Sequence, residues 1–178
     1  MAATLYYVHD PMCSWCWAFR PALEALLRQL PAEVTVVKLL GGLAPDTQEA
    51  MPEAMREQLQ QTWHRIEQTV PGTRFNFDFW RNTTPRRATW PACRALLAAR
   101  EQGAGEAMLG AIQDAYYRQA RNPSDETTLL QLAAELGLDG DAFRSALHSA
   151  RIQQQLEREM AQAVALGVDS YPSLVLQR

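Results

Sequence analysis

Lysine is almost missing from this sequence: Lys38 is the only one in 178 residues, and arginine carries the rest of the positive charge. Lysine and arginine together number 17 against 20 aspartates and glutamates, a net charge of −3. That balance excludes the basic face that nucleic acid or an anionic membrane surface demands. No apolar run approaches the length of a membrane span. Met1-Ala2-Ala3-Thr4 carries neither the basic nor the apolar stretch of an export signal, so a cytoplasmic location is expected. Cysteine and histidine are scarce too, at Cys13, Cys16, Cys93, His9, His64 and His148. No second pair of such residues stands opposite Cys13 and Cys16. This argues against structural zinc, which usually takes four Cys or His ligands, and no metal is expected.

What is present is concentrated in Asp10-Pro11-Met12-Cys13-Ser14-Trp15-Cys16-Trp17. An apolar, β-rich run, Leu5 to Val8, precedes it, and a helical pattern from Trp17 to Leu30 follows. Two cysteines separated by two residues, between a strand and a helix, have the form of a thiol–disulfide redox centre. At the helix N-terminus the sulfur of Cys13 meets unpaired backbone N–H groups and the positive end of the helix dipole. Both favour the thiolate, which is the nucleophile in disulfide exchange. Cys16, one turn further on and more buried, is placed to resolve. A purely structural disulfide over so short a loop would constrain the unfolded chain little.

The composition, 47% hydrophobic and 21% charged, is that of a soluble globular chain, long enough for one domain or one domain with a large insertion. Thr4 to Val8 reads as a buried strand. The helix after it is interrupted by Pro21 and ended by Pro31. Glu33 to Leu40 reads as a second strand, broken by Gly41-Gly42, so the first forty residues form a βαβ unit with parallel strands. Lys38 falls inside that strand, its stem expected along the sheet and its ammonium at the rim. Helices are then expected over Pro45–Val70, Ala88–Arg100, Gly105–Arg121, Thr128–Leu136, Asp141–Leu147 and Ile152–Leu166. Phe75 to Trp80 alternates like a strand and is expected as an extended segment near the cysteine turn. The last segment, Val168 to Leu176, is a loop entering a strand. Pro172 at its head, if cis, would leave backbone groups free to pair with an extended peptide.

The cysteine motif at 10–17 and Gly167-Val168-Asp169-Ser170-Tyr171-Pro172-Ser173 together resemble the thioredoxin-fold superfamily. Asn82-Thr83-Thr84-Pro85 with Ala88 to Ala99, and Leu132 to Asp139, resemble its DsbA-like branch, nearest the cytosolic FrnE-like thiol–disulfide oxidoreductases and isomerases. The resemblance implies an α/β, thioredoxin-like fold with a large all-helical insertion. Residues 1–42 would form the N-terminal βαβ half, 43–166 the insertion, and 167–178 the cis-Pro loop and the start of the C-terminal half. It implies Cys13 as nucleophile and Cys16 as resolving thiol. Tyr171 and Pro172 would pack on Cys13 and, with Trp15, bind substrate, while Ser14 and Trp15 would tune the redox potential. The implied partners are protein or small-molecule thiols and disulfides. No cofactor is implied beyond the Cys13–Cys16 disulfide, with glutathione as a candidate co-substrate.

The chain departs from the pattern in two places. The buried acid expected six residues before the first cysteine would fall at Tyr7, and His9 and Asp10 are the nearer polar groups. A further strand and helix normally follow the proline strand, so either the sequence is truncated at Arg178 or a sheet edge is left bare, which would invite aggregation. Cys93 reads as a small buried hydrophobe in an Ala/Leu-rich helix, with a third redox thiol as the sharper alternative. Arg81, Arg86 and Arg87 read as a solvated turn, or more sharply as an anion site for glutathione carboxylates. Trp15, Trp17 and Phe19 divide between core and an apolar surface for unfolded clients, and His148 reads as a surface residue. Two other function classes share the scaffold. Kappa-type glutathione transferases and hydroxychromene carboxylate isomerases use a serine-type site, against which Cys16 speaks. The other class is a non-catalytic, thioredoxin-like binding or metal-holding module.

Overall fold

The computed structural model describes residues 3–178. The chain opens with β1 (Ala3–His9), α1 (Ser14–Leu27) and β2 (Val34–Leu40). Seven helices follow: α2 (Glu53–Thr69), α3 (Phe79–Asn82), α4 (Trp90–Arg100), α5 (Gly105–Tyr117), α6 (Glu126–Glu135), α7 (Gly140–Leu147) and α8 (Ala150–Ala165). β3 (Ser173–Gln177) closes the described chain. The sheet order is β2-β1-β3, with β1 and β2 parallel and β1 and β3 antiparallel. The expected α/β, thioredoxin-like fold with helices between its two halves is therefore what the chain adopts.

Strand alternation divides the sheet's side chains. Pairing of Tyr7 with Lys38 and of His9 with Leu40 sets these side chains on one face, beside α1. The other face buries Val8 and Leu39 against Ala163 of α8 and Val168. Leu174 and Leu176 of β3 stay exposed, and the outer edge of β3 has no strand partner among the described residues. No helix among the described residues is long and apolar enough to cross a membrane.

The larger core lies in the helices and gathers around Trp63, which is fully buried. Its indole stacks on Phe75 with ring centroids 4.6 Å apart and meets Trp80 edge-on at 5.0 Å. Residues 75–80, expected as an extended segment near the cysteine turn, do lie beside it, with the Phe75 ring 5.0 Å from that of Trp17, but the extended reading is corrected from residue 77, where the chain turns into a helix. The phenylalanines alternate because they surround one tryptophan; Asn76 N–H bonds to the Tyr117 carbonyl at 2.7 Å, and Phe79 begins α3. A second correction concerns the stretch from Pro45. Only Glu53–Thr69 is helical, because the chain before it is held by tertiary bonds such as Met51 N–H to the Pro85 carbonyl, 2.7 Å. A third concerns the end of α1: the helix begins at Ser14, directly after Cys13 at its expected N-terminus and ahead of the apolar pattern from Trp17, but it ends at Leu27 rather than Leu30. Pro21 is accommodated inside it.

Candidate active site

Cys13 is the N-cap of α1. Its backbone is extended (φ −81°, ψ 115°), and its sulfur accepts the Cys16 N–H at 3.3 Å. The cysteine thus supplies the cap that Ser or Asp supplies elsewhere. That bond starts the helix three residues before the apolar pattern does. The Cys13 thiol also lies 3.6 Å from the Tyr171 carbonyl, the residue preceding Pro172 across a cis peptide bond. The two sequence segments that carried the resemblance, 158 residues apart at this contact, meet at one sulfur.

Tyr171 is fixed by a hydrogen bond from its hydroxyl to the Gly41 carbonyl, 3.0 Å. The phenol packs so closely that a Cβ on Gly41 would lie 2.2 Å from its ring. Glycine at position 41 is therefore required by the approach of the proline loop. Partial burial raises the Tyr171 phenol above its ordinary range, with the charge of Asp10 adding to it.

Cys16 lies on the inner side of α1 and is buried. Burial first, then a hydrogen bond and charge shared with Cys13, push its thiol far above the ordinary range. Such a thiol is nucleophilic only where a partner removes its proton. Both cysteines are free thiols, as is Cys93.

The flanking residues take different positions. The Ser14 hydroxyl accepts the Trp63 indole N–H at 2.9 Å, which ties the cysteine turn to the helical core. Trp15 lines an apolar cavity of about 360 Å³ with Phe19, Val70, Tyr171 and Pro172. Trp17 turns inward instead and stacks on Tyr117 at 4.8 Å. A second cavity, about 330 Å³, opens on Cys13 itself and is lined by Arg87, Tyr116, Asp169 and Tyr171.

Asp10 is the residue whose importance sequence reasoning understated. Fully buried, it accepts the Met12 N–H at 2.8 Å, the Leu43 N–H at 2.8 Å and the Thr89 hydroxyl at 2.7 Å. The Cys93 thiol points at the same carboxylate, 3.5 Å away. Burial and the Asp10 charge push that thiol well above its ordinary range. Cys93 is thus the small buried residue expected of it, with a polar partner the sequence did not disclose. Asp10→Ala would strand the buried Met12 N–H, the half-buried Leu43 N–H and the Thr89 hydroxyl. It is expected to cost about 3 kcal/mol or more in urea unfolding, with Asp10→Asn costing less.

The three arginines do not form one anion site. Arg81 lies on the surface 3.7 Å from Asp78, and Arg86 pairs with Asp125 at 2.7 Å. Only Arg87 reaches the cavity over Cys13, and it has no ion-pair partner among the described residues. His148 is on the surface as expected, 3.0 Å from Glu126. The Lys38 stem follows the sheet and its ammonium pairs with Glu106 at 2.9 Å.

The family described as DSBA-like thioredoxin domain matches residues 4–178. The chain belongs to that family. Among solved structures it superposes on a proposed protein disulfide isomerase from Nitrosomonas europaea, with a TM-score of 0.83 and 28% identity, covering 100% of this chain and 86% of that one. The cytosolic disulfide reductase DsbM from Pseudomonas aeruginosa matches with a TM-score of 0.78 and 29% identity over 98% of this chain and 85% of its own, and DsbM is also solved with GSH. A curated relative, the ClpXP adapter protein SpxH of Halalkalibacterium halodurans, is 27% identical over 96% of this chain. The chain spans only 57% of that relative's length.

Proposed function

We propose that this member of the DSBA-like family is a thiol–disulfide oxidoreductase or isomerase working through Cys13 and Cys16 in a reducing, cytoplasmic setting. The observation that carries the reading is the meeting of three features at one sulfur. Cys13 caps a 14-residue helix, sits beside the backbone N–H of its partner cysteine, and faces the carbonyl before Pro172. The Cys13 thiolate attacks a substrate disulfide, one substrate sulfur leaves as thiolate, and a mixed disulfide remains on Cys13. Cys16 then displaces the second substrate sulfur and closes the Cys13–Cys16 bond. Run in reverse, the same steps oxidise a dithiol.

Two kinds of substrate fit the two cavities. The apolar one beside Trp15 and Pro172 suits hydrophobic side chains of an extended protein client. The one over Cys13 places the Arg87 guanidinium and the Asp169 carboxylate within one lining, a match for the carboxylates and ammonium of glutathione. Arg87→Ala is expected to raise KM for glutathione disulfide about tenfold, the worth of one charge-assisted contact, while leaving a neutral disulfide such as hydroxyethyl disulfide within about twofold. Steady-state kinetics on the two substrates check it.

The likeness to SpxH favours a second reading, an adapter that holds a protein partner without turning it over. Insulin reduction with a thiol donor separates the two. Multiple turnovers dependent on both cysteines support the enzyme, and stoichiometric binding that tolerates their loss supports the adapter.

A further inference from the structure

The head of α4 holds the loop that follows β2 and gives up its own cap to do so. Thr89 is the N-cap residue of α4 and is 2% exposed, yet its side chain makes no bond to the helix it precedes. A threonine in that position ordinarily caps its own helix. Here the hydroxyl donates to the Asp10 carboxylate at 2.7 Å and accepts the Ala44 N–H at 3.1 Å. The Thr89 and Trp90 N–H groups both reach the Ala44 carbonyl, at 2.9 and 3.2 Å. The Trp90 indole N–H reaches the Gly42 carbonyl at 3.0 Å. Residues 41–44 are thus gripped from the helical side of the molecule.

The same four residues support the proline loop. The Gly41 carbonyl accepts the Tyr171 hydroxyl, and Leu43 lines the cavity over Cys13. One oxygen of the Asp10 carboxylate takes the Leu43 N–H at 2.8 Å, and the other takes the Met12 N–H at 2.8 Å. The Asp10 backbone carbonyl takes the Cys13 N–H at 3.1 Å. Asp10 therefore ties the turn that carries the nucleophile to the platform under the proline loop, and Thr89 holds both Asp10 and the platform.

We propose that Thr89 is a positioning residue for exchange with extended peptides: through Asp10 and residues 41–44 it holds the Tyr171 carbonyl against the Cys13 sulfur, where a client backbone docks. The inference rests on the exchange function proposed above and gives the helical segment a part in it. A small disulfide needs only the Cys13 sulfur. A peptide disulfide must also seat its backbone beside the proline loop while its own sulfur lines up with Cys13. An error in the spacing of those two features therefore falls on the peptide alone. Hydrogen bonds behind a reacting group are what keep such a spacing fixed.

Two probes with one leaving group separate these demands. A short synthetic peptide and mercaptoethanol each carry a chromogenic nitropyridyl thiol in disulfide linkage. The Cys13 thiolate bonds to the carrier sulfur, the disulfide breaks, and the nitropyridyl thiolate leaves with the electron pair. Thr89→Val keeps the shape and removes the hydroxyl. It is expected to raise the half-saturating peptide concentration about tenfold with the limiting rate within about twofold, and to leave the mercaptoethanol probe within about twofold. Thr89→Ser keeps a hydroxyl and should recover most of the peptide affinity. Tyr171→Phe frees the same loop without touching the buried threonine, and should raise the half-saturating peptide concentration likewise. In the double variant the two losses should overlap rather than multiply. Equal losses on both probes, as a merely structural defect would give, overturn the inference. So does an unchanged peptide response in Thr89→Val, or a double variant whose losses multiply. Release that survives Cys13→Ser overturns the exchange reading itself, and the inference with it.

Discussion

Replacing Cys13 by serine is expected to abolish turnover, with a loss on the order of a thousandfold or more in insulin reduction, because no other sulfur can take its place. Cys16 is buried, and Cys93, also fully buried, is turned to the Asp10 carboxylate. The position also matters beyond the nucleophile itself. Serine at 13 can still cap α1 through its hydroxyl, so the variant should fold and its helical circular dichroism should match the wild type. Cys16→Ser behaves differently. It should retain the first attack and accumulate a mixed disulfide on Cys13, losing turnover because nothing resolves it. Equal, modest losses in both variants would contradict this division of labour.

The second large effect concerns stability in acid. An unfolded histidine titrates near 6.5, whereas folded His9 is held down to about 3 by burial. As the pH falls below about 6.5, the unfolded chain takes up a proton that the folded chain refuses until about 3. The stability His9 allows is thus full above about 6.5 and is lost progressively between those two values. The loss reaches about 4 kcal/mol at the lower end. His9→Phe removes this component while keeping the aromatic stack on Tyr7. Urea midpoints measured against pH should therefore converge or cross, with the variant relatively more stable toward pH 4. Parallel profiles for the two proteins would show that His9 takes up its proton alike in the folded and unfolded chains and that the account of its burial is wrong.

Local chemistry made one half of this molecule readable and hid the other. The βαβ opening was legible because β-branched runs, Pro31 and Gly41-Gly42 mark their own boundaries, and β2 begins within one residue of expectation. The cysteine pair and the proline loop were legible because few chemistries need that spacing. The head of α1 was legible at Cys13, whose sulfur caps the first turn, although the apolar pattern that marks the helix starts only at Trp17. At residues 75–80 the alternation reports a cluster about Trp63, and the helix that begins at Phe79 had no local signal. Asp10 was noticed only as a nearby polar group. Its partners Leu43, Thr89 and Cys93 lie 33, 79 and 83 residues away, and nothing local points to them. Arg87 was likewise indistinguishable from Arg81 and Arg86 until the fold separated them. What the sequence hid was in each case a contact between distant segments.

The measurement that tests the central claim most directly is trapping of the mixed disulfide. Reduced Cys16→Ser protein is mixed with glutathione disulfide, and the modified peptide is mapped by mass spectrometry. The account predicts one glutathione per chain, on Cys13, released on adding a dithiol. An unmodified Cys13, or an adduct on Cys93 in its place, would contradict it.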